Sequence, residues 1–187
     1  MNVIIFGPPG AGKGTQANNI VKKFNLYQVS TGDLLRKEVK NKTEIGKDIE
    51  NIISKGDFAT DEIVNELIKN IVFDPIKKNK LIFDGYPRSL SQAENLEVLL
   101  SSSNQKIDFI FFLDVKKETI IQRLEKRKIL EKRSDDTMIT ILKRYDTYME
   151  TTKPVLDFYS KKPSFFKING GVKIEEISGK IEQILSV

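Results

Sequence analysis

The stretch GPPGAGKGT at residues 7–15 has the composition of a loop that holds an anion. Its glycines at 7, 10, 12 and 14 can adopt backbone angles closed to other residues, so successive backbone N–H groups can converge on one phosphate, and Lys13 adds a full positive charge. A helix that begins near Lys13 would turn the positive end of its dipole to the same point. The common phosphate-loop pattern has Ser or Thr directly after the lysine, whereas here Gly14 precedes Thr15. The stretch therefore predicts a phosphate-binding loop with a displaced hydroxyl.

The chain contains no histidine and no cysteine. This composition excludes a disulfide framework, a thiolate zinc site and a thiol nucleophile. Any catalysis must therefore be carried out by carboxylates, hydroxyls, backbone amides, lysines, arginines and a bound metal ion. Phosphoryl transfer fits this inventory, because it requires little beyond positioning and charge neutralisation.

Arginines stand at predicted element ends and in turns beside the sequence motifs. Planar forked cations hold phosphate groups better than lysines do, so these arginines are candidates for binding phosphate. Arg123 and Arg127 are four residues apart, so they share one helix face. For any single one of these arginines, exposure to solvent is the competing interpretation. The set comprises Arg36, Arg88, Arg123, Arg127, Arg133 and Arg144.

The elements that must position these groups alternate along the chain. Short apolar runs at residues 2–6, 80–84, 108–114 and 164–168 predict strands, and helical patterns separate them. This alternation predicts an α/β fold with a parallel sheet of about five strands and helices on both faces. Residues 31–73 have only helical patterns, so part of this stretch is expected to stand off the sheet as a subdomain.

Composition and length favour one compact cytoplasmic domain. A chain of 187 residues removes about 70% of its surface from water on folding. The first residues do not resemble a signal peptide, and no apolar run approaches the ~20 residues that span a bilayer. Net charge is +5, but the lysines are scattered without interleaved aromatic residues. This pattern favours a solvated surface over a nucleic-acid interface.

Five motifs occur in the order and spacing of the nucleoside monophosphate kinases. They are GPPGAGKGT, STGDLLR (30–36), DGYPRSLSQAE (84–94), RLEKR (123–127) and RSDD (133–136). The chain most closely resembles the adenylate kinases, over essentially its whole length. The family's own loop reads G-K-G-T, which accounts for the displaced hydroxyl.

This resemblance implies a single kinase domain, residues 1–187, with the three-layer P-loop NTPase fold. Its expected parts are a core (1–29, 61–125 and 137–187), a monophosphate-binding subdomain (30–60) and a short lid (126–136). The implied activity is reversible, Mg²⁺-dependent phosphoryl transfer from ATP to AMP, giving two ADP. A monomer without structural zinc is also implied.

The resemblance assigns residues to the ATP side of the site. Arg123 would pack on the adenine of ATP, Arg127 would hold its phosphates, and Asp84 and Asp33 would hold Mg²⁺ through water. Helix capping is an alternative role for Asp33. The implied ATP-binding residues are Gly10, Ala11, Gly12, Lys13, Gly14, Thr15, Arg123, Arg127 and Val172. The implied catalytic residues are Lys13, Arg88, Arg123, Arg133 and Arg144.

On the acceptor side, Arg36 and Arg88 would hold the monophosphate, while Arg133 and Arg144 would bridge the transferring phosphoryl group. Thr31 and Gln92 match the adenylate version of the family. The implied AMP-binding residues are Thr31, Arg36, Asp57, Phe58, Ala59, Gly85, Tyr86, Pro87, Arg88, Gln92, Arg133 and Arg144. The segments RSDD and TTKPVLDFY resemble the UMP/CMP enzymes, which keeps that specificity as an alternative. A P-loop ATPase or switch module is the alternative from another class.

The lid segment departs from its relatives. Only KILEK (128–132) separates Arg127 from Arg133, and it contains no glycine. This segment is expected to be stiff and to continue the preceding helix. Asp135 and Asp136 would close the lid by pairing with arginines, or would cap the long helix that runs to Tyr159.

Overall fold

The computed structural model describes residues 1–54, 59–131 and 137–186. Its strands are β1 (Val3–Phe6), β2 (Tyr27–Ser30), β3 (Leu81–Asp84), β4 (Phe109–Asp114) and β5 (Phe165–Asn169). Its α-helices are α1 (Lys13–Phe24), α2 (Thr31–Lys40), α3 (Glu44–Ser54), α4 (Asp61–Val72), α5 (Leu90–Ser102), α6 (Lys117–Glu131), α7 (Met138–Thr147), α8 (Lys153–Ser160) and α9 (Ile174–Leu185). A π-helical turn, Tyr148–Thr152, joins α7 to α8.

The five strands form one parallel sheet in the order β2-β3-β1-β4-β5. This confirms the predicted α/β architecture. Because β1 lies between β3 and β4, the loop that follows β1 emerges at the centre of the sheet's carboxyl edge. Ile5 of β1 is in register with Asp84 of β3, and Asp84 is in register with Ser30 of β2. The loop, the carboxylate and the start of α2 are therefore neighbours.

Strand β2 is an element that the sequence pattern did not predict. It is an edge strand, and of its four residues YQVS only Val29 is buried. An edge strand with one buried residue shows no apolar run, so periodicity alone does not reveal it. The four predicted strands, β1, β3, β4 and β5, each begin one residue later than expected, and β5 also ends one residue later.

Helices cover both faces of the sheet because β1 alternates its side chains between two apolar clusters. Ile4 and Phe6 pack with residues of α4, α5 and α8, whereas Val3 and Ile5 pack with residues of α1, α6 and α9. All four residues of β1 are buried, as predicted for a strand covered on both sides. The described residues contain no helix long and apolar enough to cross a membrane.

The stretch predicted to be helical, residues 31–73, contains α2, α3 and α4. Helices α2 and α3 pack closely, because α3 presents Gly46 to the backbone of α2. A Cβ atom built on Gly46 would lie 2.1 Å from the carbonyl oxygen of Glu38. Ile49 of α3 is fully buried in the same cluster as β1. Helix α6 continues to Glu131, as expected for a segment without glycine.

We expect Gly46→Ala to lower the free energy of unfolding by about 1–3 kcal/mol, because the new methyl group would force α2 and α3 apart. Gly179→Ala is the matched control, since Gly179 also lies in a helix but a Cβ there meets nothing within 4 Å. That control should gain about 0.5–1 kcal/mol from helix propensity. Urea denaturation of both variants measures the difference, and an unchanged value for Gly46→Ala would contradict this packing.

Candidate active site

The loop after β1 owes its shape to two glycines in the left-handed region of backbone conformation. Gly10 has φ 82° and Gly12 has φ 95°. At Gly10 a side chain is also excluded by packing, because an added Cβ would lie 2.8 Å from Cγ of Leu124 in α6. Gly12 is the N-cap residue of α1. The N–H groups of the first turn of α1 are thereby presented at the carboxyl edge of the sheet.

Gly14 is different from the glycines before it. It has an ordinary helical conformation within α1, so the prediction that it supplies an unusual backbone angle is wrong. What distinguishes the position is its neighbour: an added Cβ would lie 3.5 Å from Oδ2 of Asp84. A methyl group would just make contact there, whereas a longer polar side chain would meet the carboxylate. In the common phosphate loop, the residue with the hydroxyl stands at the position of Gly14. Here the carboxylate of Asp84 lies beside that position, and the hydroxyl belongs to the next residue, Thr15.

Lys13 folds its side chain back over the loop. Its Nζ donates to the carbonyl oxygens of Gly7 at 2.7 Å and Pro8 at 3.1 Å. Burial lowers the pKa of Lys13 to about 8; Asp84 opposes this effect, and Arg88, Arg144 and Arg127 add to it. The ammonium group is thus a cation crowded by other cations, and an incoming polyanion would relieve that repulsion.

Asp84 ends β3 beside this lysine. Its Oδ2 accepts a hydrogen bond from Nε2 of Gln28 at 3.1 Å. The described residues contain no cluster of three or more acidic side chains that could enclose a metal. A single carboxylate beside a phosphate loop fits a Mg²⁺ ion that keeps most of its waters and binds mainly through substrate phosphates.

The turn after β3 positions Arg88. Its Nε donates to the carbonyl oxygen of Gly85 at 2.7 Å, and its guanidinium also reaches Oγ1 of Thr31 at 3.4 Å. Thr31, buried at the start of α2, donates to the same Gly85 oxygen at 2.8 Å. Burial lowers the pKa of Arg88 to about 10, and nearby Arg144 adds to the effect. Arg88 therefore remains charged near neutral pH.

A cavity of about 60 Å³ lies between the loop, the turn and the end of α7. Three cations line it: Lys13 from the loop, Arg88 from the turn and Arg144 from α7. Their convergence from three separate elements makes the cavity a site for a strongly anionic ligand. The remaining lining residues are Ile5, Phe6, Gly7, Pro9, Gly85, Pro87, Tyr148 and Thr152.

Tyr148 and Thr152 are lining residues that sequence reasoning missed. Both belong to the π-helical turn, and Thr152 donates to the backbone carbonyl of Arg88 at 3.1 Å. The hydroxyl of Tyr148 is buried and has no hydrogen-bond partner among residues 1–54, 59–131 and 137–186. Spacing rules for ordinary helices do not anticipate a π-helical turn, which often occurs at functional sites.

The other described arginines lie on α6 and α2 and do not line the cavity. Arg123 donates to the carbonyl oxygen of Ala11 at 3.3 Å, and Arg127 on the same face of α6 is close enough to lower the pKa of Lys13. Arg36 pairs with Asp33 at 2.5 Å on the exposed side of α2. Asp33 does not cap its helix, because that role belongs to Ser30.

Four residues that were predicted to bind substrate have side chains that are wholly or partly buried in the protein. The ring of Tyr86 is fully buried in the core, and Ala59 is buried in the same cluster. Val172 packs against the cluster on the opposite face of the sheet. Gln92 is also buried, and its amide contacts Asp61 and the backbone N–H of Arg88.

Five predicted residues lie outside the described parts of the chain: Asp57, Phe58, Arg133, Asp135 and Asp136. One alternative for the last two can still be assessed, because the helix that they were expected to cap begins at Met138. Its N-cap is Thr137, which forms a reciprocal capping box with Thr140. Neither aspartate is the capping residue.

The chain is similar to known proteins over its whole length. Residues 5–164 match the family model described as adenylate kinase. This chain belongs to the adenylate kinase family. A curated adenylate kinase from Pelagibacter ubique is 47% identical over an alignment of 213 positions, which covers 100% of both chains. Adenylate kinases from Porphyromonas gingivalis (37% identity; 99% of this chain and 95% of the relative) and Thermosipho africanus (31%; 100% and 99%) are also similar.

Membership in the adenylate kinase family explains the cationic cavity. Adenylate kinases are nucleoside monophosphate kinases, which are phosphotransferases that act between ATP and AMP, and the activity of this chain is that of the family. Two phosphate-bearing substrates must approach each other, so the cavity must offset their mutual repulsion. Lys13, Arg88 and Arg144 give this cavity its positive charge.

Proposed function

We propose that this protein transfers the terminal phosphoryl group of Mg-ATP directly and in line to AMP, giving two ADP in a reversible reaction. The observation that carries the proposal is the convergence of Lys13, Arg88 and Arg144 on one cavity. The chain has no histidine or cysteine, so a covalent phosphoenzyme on either side chain is excluded. Catalysis then rests on positioning and on charge neutralisation.

The donor half of the site is assigned to the loop and α6. The N–H groups of residues 10–15 and Nζ of Lys13 would hold the β- and γ-phosphates of ATP. Lys13 would exchange its bonds to Gly7 and Pro8 for phosphate oxygens. Arg127 would hold the phosphates from the α6 side, and Arg123 would pack on the adenine. Arg123 already contacts the loop through Ala11, which supports this placement.

The acceptor half is assigned to α2 and the turn after β3. Arg88 and Arg36 would hold the phosphate of AMP, because Arg88 lines the cavity and Arg36 is near enough to lower its pKa. Thr31 and Gln92 would face the acceptor base. Arg144 would bridge the transferring group with Arg133, and the backbone of residues 57–59, including Ala59, would line the base pocket.

Mg²⁺ is assigned to the space beside Asp84, where it would neutralise charge on the β- and γ-phosphates. Asp84 would orient water molecules of the ion rather than bind it as one of several carboxylates. Asp33 could contribute only after leaving Arg36, to which it is bound at 2.5 Å. This makes Asp84 the main protein partner of the metal and Asp33 a secondary one.

Water must be excluded from the cavity during transfer, because ATP would otherwise be hydrolysed. We assign this closure to the helices of residues 30–60 and to the short lid, 126–136. Asp135 and Asp136 would hold the closed lid through arginine pairs. We also assign the protein to the cytoplasm as a monomer, and size-exclusion chromatography with light scattering tests the monomeric state.

One assay tests the proposed reaction against its alternatives. The purified protein is mixed with ATP, Mg²⁺ and each of AMP, CMP, UMP and GMP in turn, and ADP is measured. The proposal expects ADP mainly with AMP and very little without an acceptor. Preference for UMP or CMP would establish a pyrimidine kinase instead. Phosphate release from ATP that is indifferent to AMP would establish an ATPase.

The affinity for ATP should depend on pH through Lys13. Since burial lowers its pKa to about 8 in the free protein, Lys13 loses its proton above that pH, and the phosphates of ATP lose a cation. We expect the Kd for ATP to be nearly constant between pH 7 and 8 and to rise by up to about tenfold per pH unit above pH 8. Titration calorimetry measures this. The Lys13→Met variant should bind weakly and without this dependence, whereas a flat wild-type profile would contradict the assignment.

A further inference from the structure

Asp61 joins the start of α4 to the first turn of α5. Its Oδ2 accepts hydrogen bonds from Oγ of Ser89 at 2.8 Å and from Oγ of Ser91. Its Oδ1 accepts from Nε2 of Gln92 at 2.6 Å. These three hydrogen bonds to Asp61 all come from one short segment, which directly follows Arg88 in the chain.

These contacts fix the orientation of the Gln92 side-chain amide. Nε2 donates to Asp61, while Oε1 accepts from the backbone N–H of Arg88 at 2.8 Å. A reversed amide would place its oxygen against the carboxylate of Asp61 and its NH₂ group against the N–H of Arg88. Both contacts would become repulsive, and Gln92 is only 4% exposed, so water cannot readily replace them.

The Gln92 amide, held in this orientation, can still form two hydrogen bonds with a ligand. One hydrogen of Nε2 and one lone pair of Oε1 are left for a ligand. This pair complements a base edge that has an amino group beside an unprotonated ring nitrogen. It is mismatched to an edge with a carbonyl group beside a ring N–H, which requires the reversed amide.

We propose that Asp61 is a specificity-determining positioning residue, which holds Gln92 so that the acceptor site selects an amino-bearing base edge over an oxo-bearing one. This inference rests on the proposed role of Gln92 at the acceptor base. The mismatched base is rejected because buried polar groups would be left unpaired on both sides. Asp61 itself touches no substrate in this account.

The Asp61→Asn variant tests the inference, because either end of the new amide can face Gln92. Only the N–H of Arg88 would then oppose reversal. We expect the ratio of kcat/KM for AMP to that for inosine monophosphate to fall about tenfold. The ratio for AMP to CMP should stay nearly constant, since cytosine has the same amino group beside a ring nitrogen. An unchanged AMP to inosine monophosphate ratio overturns the inference. Equal loss of both ratios shows general loosening and also overturns it.

Ser91→Ala is the matched control. It removes one hydrogen bond from Asp61 but leaves the contact between Asp61 and Gln92, so both ratios should keep their wild-type values. Thermal melting of each variant checks the fold. If Asp61→Asn does not fold, Asp61→Ser is measured in the same way, because a hydroxyl can donate or accept. Wild-type protein that forms no ADP from ATP and AMP would overturn the proposed function itself. Active wild type with unchanged variant ratios would overturn only this inference.

Discussion

Lys13→Ala is expected to lower kcat by about a thousandfold while the protein remains folded. Lys13 lines the cavity, and its Nζ is held by two backbone carbonyls of the phosphate loop. Removing one preorganised cation from a site of transferring charge costs about 10²- to 10³-fold in rate. Stability should not suffer, because burial and neighbouring arginines already disfavour the charged lysine, as its lowered pKa shows.

Measuring both ADP formation and thermal melting for the same variant checks this result. Lys13→Met keeps most of the side-chain volume and should be as inactive as the alanine variant, which separates lost charge from lost packing. Lys22→Ala, on the exposed last turn of the same helix, is the control and should leave turnover unchanged. Near-normal turnover of Lys13→Ala would remove the phosphate-loop assignment.

Arg88→Ala is expected to lower kcat/KM for AMP by about 10²- to 10³-fold and to leave the KM for ATP nearly unchanged. The guanidinium lies on the cavity wall formed by the turn after β3, which is assigned to AMP, whereas the loop on the same cavity is assigned to ATP. Its forked donors suit a phosphate, so Arg88→Lys should recover only a small part of the loss.

Steady-state kinetics with each substrate varied in turn measure the separation. Lys106→Ala removes one positive charge from an exposed site outside the cavity and controls for net charge. If Arg88→Ala raised the KM for ATP and spared AMP, the two halves of the site would have to be exchanged.

Several features of the fold and of the loop could be predicted from the sequence alone, because their requirements are local. A phosphate loop needs glycines and a lysine within a few residues, and a buried parallel strand needs an uninterrupted apolar run. Both signals lie within one short stretch, and the structure confirms β1, the loop and α1 where they were predicted. The absence of histidine and cysteine likewise limited the chemistry before any fold was known.

Features that depend on partners distant in the chain were decided by the tertiary structure. Gly14 was expected to act through its backbone angle, but its distinguishing feature is Asp84, which is 70 positions further along the chain. Strand β2 shows no apolar run in the sequence, because an edge strand buries few of its side chains. The π-helical turn that brings Tyr148 and Thr152 to the cavity follows no ordinary helical spacing.

Residue types and local spacing thus determined which groups are available, namely a loop lysine, carboxylates and arginines. Only the packed sheet decided which of them meet. Lys13, Arg88 and Arg144 converge because parallel strands end at one edge, and the orientation of the Gln92 amide follows from Asp61 on another helix. Electrostatic effects and hydrogen bonds act over a few ångströms in space, whereas a sequence records only neighbours along the chain.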